Sequence, residues 1–178
     1  MKIGKKDCQD LERALSLEWL EQNGRGGFAS GTVAGAHTRR YHALLLTARK
    51  PPSERFVLVN HLEEWLAIDG QVVPLSTNLY PGAVHPTGYE HCVQFSTDPW
   101  PTWTFDCNGM MIQREILSIH GRDMVIVRWR LVSKKPTKAA LRVRPKLTGR
   151  DYHGTHHENG HLSTEAHAGS GMVMWHGY

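Results

Sequence analysis

The sequence has no apolar run long enough to cross a bilayer. Its longest, such as Ala43-Leu44-Leu45-Leu46 and Val125-Ile126-Val127, fall far short of the ~20 residues a membrane helix needs. Cysteine is scarce: Cys8, Cys92 and Cys107 are odd in number, widely spaced and form no Cys-x-x-Cys. That excludes a disulfide framework or a Cys-based zinc site and makes a reducing cytoplasm the simplest compartment. Lys2, Lys5 and Lys6 open the chain, yet no apolar segment follows them, so no secretory signal is expected. No Gly-Lys-Ser/Thr occurs, which excludes a Walker phosphate loop. No RNP, helix-turn-helix or zinc-finger pattern occurs either.

What is present is ordinary globular usage, 40% apolar and 21% charged over 178 residues, which predicts one domain with a sizeable core. Net charge is +4 and the pI about 9.1. Much of the excess sits in Lys134-Lys135, Lys138, Arg142, Arg144, Lys146 and Arg150. Between 141 and 147 these residues alternate with Leu141, Val143, Pro145 and Leu147. That is the pattern of a strand with one solvated face, and it counts against a nucleic-acid surface.

Helical periodicity is confined to residues 7–20, where Asp7 or Asp10 would cap and Leu11, Ala14 and Leu15 share a face; Leu17 to Leu20 equally suits a strand. Strands are expected at Arg39–Thr47, Arg55–Asn60, Trp65–Ile68, Gln71–Leu75, Trp103–Cys107, Met110–Ile119, Asp123–Val132 and Lys138–Leu147. Asp69-Gly70 and Asn108-Gly109 are two-residue hairpin signals. The Asp123 strand is expected to put Val125, Val127, Trp129 and Leu131 on one face and to pair with the Lys138 strand across Ser133–Thr137. Such strands must each bury one face, so an all-β fold follows, an antiparallel β-sandwich with little helix. Leu162–Glu165 and Gly171–Trp175 also read as strands, and the stop soon after Trp175 gives the expectation of a domain cut from a longer protein.

The most unusual segment is Asn23-Gly24-Arg25-Gly26-Gly27-Phe28-Ala29-Ser30-Gly31-Thr32. It formally fits a dinucleotide fingerprint, but Thr32-Val33-Ala34-Gly35 cannot open the helix that fingerprint requires. Five glycines between 24 and 35 allow close backbone approach, either to a neighbouring strand or to a ligand. Thr38-Arg39-Arg40-Tyr41-His42 follows. Guanidinium forks, a phenol and an imidazole suit sugar hydroxyls, and aromatic faces can stack on pyranose rings. The competing reading pairs Arg39 and Arg40 with carboxylates at the sandwich rim. Trp103 and Trp129 read as core, and Trp100, between Pro99 and Pro101, is the better sugar platform.

The run from Glu18 to Gly35, then Thr38-Arg39-Arg40-Tyr41-His42-Ala43-Leu44-Leu45, resembles the opening signature of bacterial and archaeal amylo-α-1,6-glucosidases, the glycogen debranching enzymes. Leu75 to Gly82, Val84-His85-Pro86-x-Gly88-Tyr89, Pro101 to Phe105 and Arg144-Pro145-x-Leu147-x-x-Arg150-Asp151-Tyr152-His153 follow in the family's order. Ala43 stands where glycine is expected, and Arg25 where an apolar residue is commoner. The resemblance implies a supersandwich-like N-terminal domain, followed in the family by an (α/α)₆ barrel carrying the hydrolytic carboxylates. It implies an α-glucan partner, glycogen or a limit dextrin, and a contact with the catalytic barrel of the same chain. No nucleic acid or membrane partner, cofactor or metal is expected. Asn23, Gly26, Gly27, Arg39, Arg40, Tyr41 and His42 are then the expected substrate-binding residues, with Arg150, Tyr152 and His153 beside them. The alternative is a stand-alone glucan-binding or purely structural module.

Catalytic residues are not expected within the chain. Glycosidic hydrolysis needs two facing carboxyl groups, about 5–5.5 Å apart for retention or roughly 6.5–9.5 Å for inversion. Glu63 and Glu64 would point to opposite faces of a strand, and the acidic residues read as surface carboxylates. His153, His156, His157, His161 and His167 cluster without cysteine among Gly154, Asn159 and Gly160, which makes a loop the better reading than a metal site.

Overall fold

The computed structural model describes residues 1–133, 138–155 and 160–177. In chain order the elements are β1 (Lys2–Gly4), α1 (Lys5–Gln9), α2 (Leu11–Ser16), β2 (Glu18–Gln22), β3 (Phe28–Thr32), β4 (Ala43–Lys50), β5 (Ser53–Ile68), β6 (Gln71–Pro74), β7 (Thr77–Tyr80), β8 (Ala83–Thr87), a 3₁₀ turn (Gly88–His91), β9 (Cys92–Ser96), β10 (Thr102–Cys107), β11 (Met110–Ser118), β12 (Val125–Leu131), β13 (Ala139–Asp151), β14 (Ala166–Gly169) and β15 (Met172–Trp175). The first large sheet runs β1-β9-β10-β11-β12 and the second runs β13-β5-β4-β3-β2, with β6 paired to β5; β7 with β8 and β14 with β15 form two small two-stranded sheets. All the pairings are antiparallel. The fold is all-β, as alternation along the chain predicts.

The core lies between the sheets. Trp19, Leu44 and Leu66 come from one, and Phe95, Trp103, Phe105, Ile112 and Ile116 from the other. Trp103 meets Trp19 edge-on at 5.3 Å between ring centroids, and Phe95 at 4.7 Å. Both indoles satisfy their N–H on backbone carbonyls, Trp103 on Val33 at 2.8 Å and Trp19 on Thr32 at 3.2 Å, so burying them leaves no orphaned donor. Trp129 lies half-buried against this core, and Trp100 gives its indole N–H to Glu115 at 3.4 Å. A second, smaller cluster of Ala43, Leu46 and Val57 sits on the opposite face of the second sheet: Leu44 alternates inward, and the register shift between Leu45 and Leu46 turns Leu46 outward. Phe28 and Tyr152 cover it.

Both hairpin signals hold. Asp69 and Gly70 adopt φ of 48° and 81°, and Asn108 and Gly109 55° and 84°, the paired positive angles of a type I′ turn. Several expectations need correction. The N-terminal helix is two short helices joined at Asp10, whose carboxylate accepts from the Arg13 N–H at 3.0 Å; Glu18–Gln22 beyond them is strand. Arg39–Tyr41 forms a turn, and the strand begins only at Ala43. The stretches at 55–60 and 65–68 are one sixteen-residue strand, β5, whose pairing slips between residues 57 and 61. Among the described residues β13 pairs with β5 and β12 only with β11, so the chain crosses between sheets where a hairpin was expected. Leu162–Glu165 is no strand; the terminal hairpin is β14 with β15. The expected turn at 134–137 lies outside the described residues.

The three cysteines are buried and free. Burial pushes the Cys107 thiol up to about 12, which leaves it unreactive at neutral pH. No helix among the described residues is long and apolar enough to cross a membrane.

Candidate functional site

The turn before β4 and the end of β13 meet at one corner on the outer face of the second sheet. Arg40 donates from Nη1 to the His153 carbonyl at 3.1 Å and from Nη2 to the Tyr41 hydroxyl at 2.9 Å. That hydroxyl also lies 3.2 Å from His153 Nδ1. Arg150 reaches the Gly154 carbonyl at 3.0 Å, the Tyr152 carbonyl at 3.4 Å and the Arg40 carbonyl, and so ties the two segments together. The rings pack at a tilt: Tyr41 to Tyr152 is 5.4 Å, Tyr152 to His153 3.9 Å, and Arg40 lies 4.9 Å over Tyr41. Sequence reasoning missed Arg55, whose guanidinium lies 5.5 Å from the Tyr152 centroid and whose carbonyl accepts the Tyr152 N–H at 3.1 Å.

Arg39 and His42, on the same turn, go elsewhere. Both face Glu18 on β2, Arg39 through Nε and His42 through Nε2 at 3.5 Å. The candidate residues thus divide. Arg40, Tyr41, Arg150, Tyr152 and His153 share one exposed corner, and neither arginine there is paired with a carboxylate among the described residues. At the rim Arg39 forms an ion pair with Glu18, and His42 lies beside the same carboxylate.

Asn23, Gly26 and Gly27 lie in the loop between β2 and β3. The buried Asn23 side chain accepts from the N–H groups of Arg25 at 2.8 Å and Gly27 at 3.0 Å. It donates to the Arg122 carbonyl at 3.2 Å and to Asp123 at 3.0 Å. Gly26 has φ of 92°, and a Cβ there would sit 2.7 Å from the Pro52 carbonyl oxygen; at Gly27 it would sit 2.6 Å from that of Leu46. The glycines therefore allow backbone to approach backbone.

Behind the corner three histidines touch: His37 lies 5.6 Å from His42 and 5.5 Å from His61, ring to ring. His37 Nδ1 is 3.1 Å from Asn60 Oδ1, His42 Nδ1 accepts from the Thr38 N–H at 3.2 Å, and the ring nitrogens of His61, with Asn78 nearby, make no well-formed hydrogen bond among the described residues. Burial, together with His61, His42 and Arg150 nearby, pushes His37 down to about 3. Burial also lowers His42, against the pull of Glu18, and His61, against the pull of Glu63. These folded values lie below the unfolded one, so the unfolded chain takes up protons first. Stability is expected to be intact above pH ~6.5 and to fall below it, with His37 alone contributing about 2 kcal/mol of the loss at pH 5. Urea midpoints of wild type and His37→Gln at pH 7.5 and 5 check this: the variant should lose much of the slope, and equal slopes reject it.

The acidic residues need a further correction, because Glu63, Glu64 and Glu115 are buried. Each is held by a cation: Glu64 by Arg114 at 2.8 Å, Glu63 by Lys146 at 3.2 Å and Arg144 at 3.4 Å, and Glu115 by Arg128. The bond to Arg128 holds the Glu115 carboxyl below the usual range, the reverse of what a general acid needs. Glu64 lines a cavity of about 30 Å³ between the sheets, room for a water and far too small for a sugar. Among the described residues no three His, Cys, Asp or Glu side chains are grouped to hold a metal; His156 and His157 lie outside them.

Fold and corner define a two-sheet all-β domain that carries a polar-aromatic cluster on its outer face. The glycogen debranching enzyme N-terminal family matches residues 17–178, and the chain belongs to that family. No curated protein and no solved structure matches it.

Proposed function

We propose that this domain is the non-catalytic N-terminal part of an enzyme that hydrolyses α-1,6-glucosidic branch points, and that it braces an (α/α)₆ catalytic barrel and offers one corner to the α-glucan. The observation that carries this reading is the Arg40–Tyr41–Tyr152–His153 cluster, locked by Arg150. It presents hydrogen-bond donors beside ring faces, which is what the hydroxyl rim and apolar face of a pyranose require. The family membership supports an α-glucan as the substrate class. Among the described residues the buried carboxylates Glu63, Glu64 and Glu115 are each engaged with a cation, which supports placing the hydrolytic pair on the barrel.

In the full-length enzyme, Arg40→Ala is expected to cut turnover on a branched α-glucan by more than about tenfold, roughly 1.4 kcal/mol of barrier. The melting temperature should barely move, since Arg40 is exposed. Steady-state rates on a limit dextrin decide it, and an unchanged rate would remove the corner from the active site.

A further inference from the structure

Well along β5 from the corner, the same outer face carries a cleft of about 520 Å³, lined by Trp65, Ala67, Val72, Ala140, Leu141, Arg142 and Arg144. Cross-strand register explains the concavity. Trp65 stands between Pro74 and Arg142, and in the next row Ala67 stands between Val72 and Ala140. Two alanines side by side let the surface dip against the Trp65 ring. Val57, under the Tyr152 corner, and Trp65 are eight residues apart on one strand, which sets the two places roughly 25 Å apart.

The donors around the ring are unevenly engaged. Arg144 lies 5.4 Å from the Trp65 centroid and shares Glu63 with Lys146. Arg142 is exposed and has no ion-pair partner among the described residues. The volume lies within the ~300–1,000 Å³ of small-molecule sites. A flat indole, an apolar floor and a guanidinium with free donors fit a neutral ligand that has an apolar face and a hydroxyl rim. Glu63 offsets part of the local positive charge, which weakens the case for a polyanion.

We infer that the Trp65 cleft is a second α-glucan contact, which holds a linear stretch of the polymer while the Tyr41 corner takes another. The substrate class rests on the proposed function above; the cleft itself does not. Titration calorimetry of this chain with maltoheptaose in 0.15 M NaCl is expected to give a millimolar or tighter Kd. Trp65→Ala should weaken binding about tenfold or more, given that ring stacking supplies much of the contact. Arg142→Ala, at an exposed position that cannot disturb the fold, should weaken it severalfold, and Lys50→Ala should leave it unchanged. Absence of binding, or loss with Arg40→Ala but with neither cleft variant, overturns the cleft while leaving the corner to its own turnover test. Preference for dextran sulfate over maltoheptaose, abolished by salt, would assign the cleft to an acidic partner and also overturn the inference.

Discussion

Arg114→Ala is expected to destabilise the domain by about 3–5 kcal/mol, the cost of leaving one member of a buried ion pair unpartnered. Arg114 on β11 and Glu64 on β5 bridge the two sheets at 2.8 Å, and Glu64 is only 1% exposed. Trp129 gives its indole N–H to the same carboxylate at 3.0 Å, and the Arg114 guanidinium lies 4.2 Å over Trp103, at the centre of the core. Removing the arginine strands a buried charge with one neutral donor and takes the cation off the indole face. At roughly 2–4 °C per kcal/mol for a domain of this size, the melting temperature should fall by about 10 °C. The double substitution Arg114→Leu with Glu64→Leu should recover most of that loss, because a well-packed apolar pair removes the desolvation of both ions. Thermal denaturation of the three proteins checks this; a single-variant loss below ~1 kcal/mol would show that water reaches the pair.

That ion pair marks the limit of what the sequence discloses. Asp69-Gly70 and Asn108-Gly109 were readable because a type I′ turn needs two positive φ angles, which few residue pairs supply. Two packed sheets were readable because alternating strands must each bury a face. The partner of β13 was not, since its alternation is the same against β12 or β5. Glu64 could not be told from a surface carboxylate, because its cation stands fifty residues away on the other sheet. The slips along β5 likewise depend on neighbours in space.

The candidate site was legible as a set of residues and illegible as a geometry. The motif order singled out Arg39 to His42 together with Arg150, Tyr152 and His153. Only the fold separates Arg39 and His42, turned to Glu18, from Arg40 and Tyr41, joined to His153. Trp65 carried no signal at all, because a cleft made by two small neighbours is a property of register.

Asn23 tests the other open choice, between a ligand loop and a tight connection. Its side chain is 2% exposed and makes four hydrogen bonds that knit the loop to itself and to the turn at Arg122–Asp123. Asn23→Ala leaves the Arg25 and Gly27 N–H groups and the Arg122 carbonyl without this partner, at about 1–3 kcal/mol for a buried group left unpaired. With water recovering the shallower ones, the expected loss is about 3 kcal/mol and a fall of roughly 6–12 °C in melting temperature. Asn23→Asp keeps an acceptor for the Arg25 and Gly27 N–H groups but sets a second carboxylate beside Asp123, so it should approach wild-type stability only as the pH is lowered and one of the two takes a proton. Thermal melts at pH 7.5 and 5, paired with maltoheptaose titrations, separate the readings. A stabilising loop loses melting temperature and keeps its glucan affinity, whereas a melting temperature unchanged by Asn23→Ala with weakened affinity would place the side chain on the ligand.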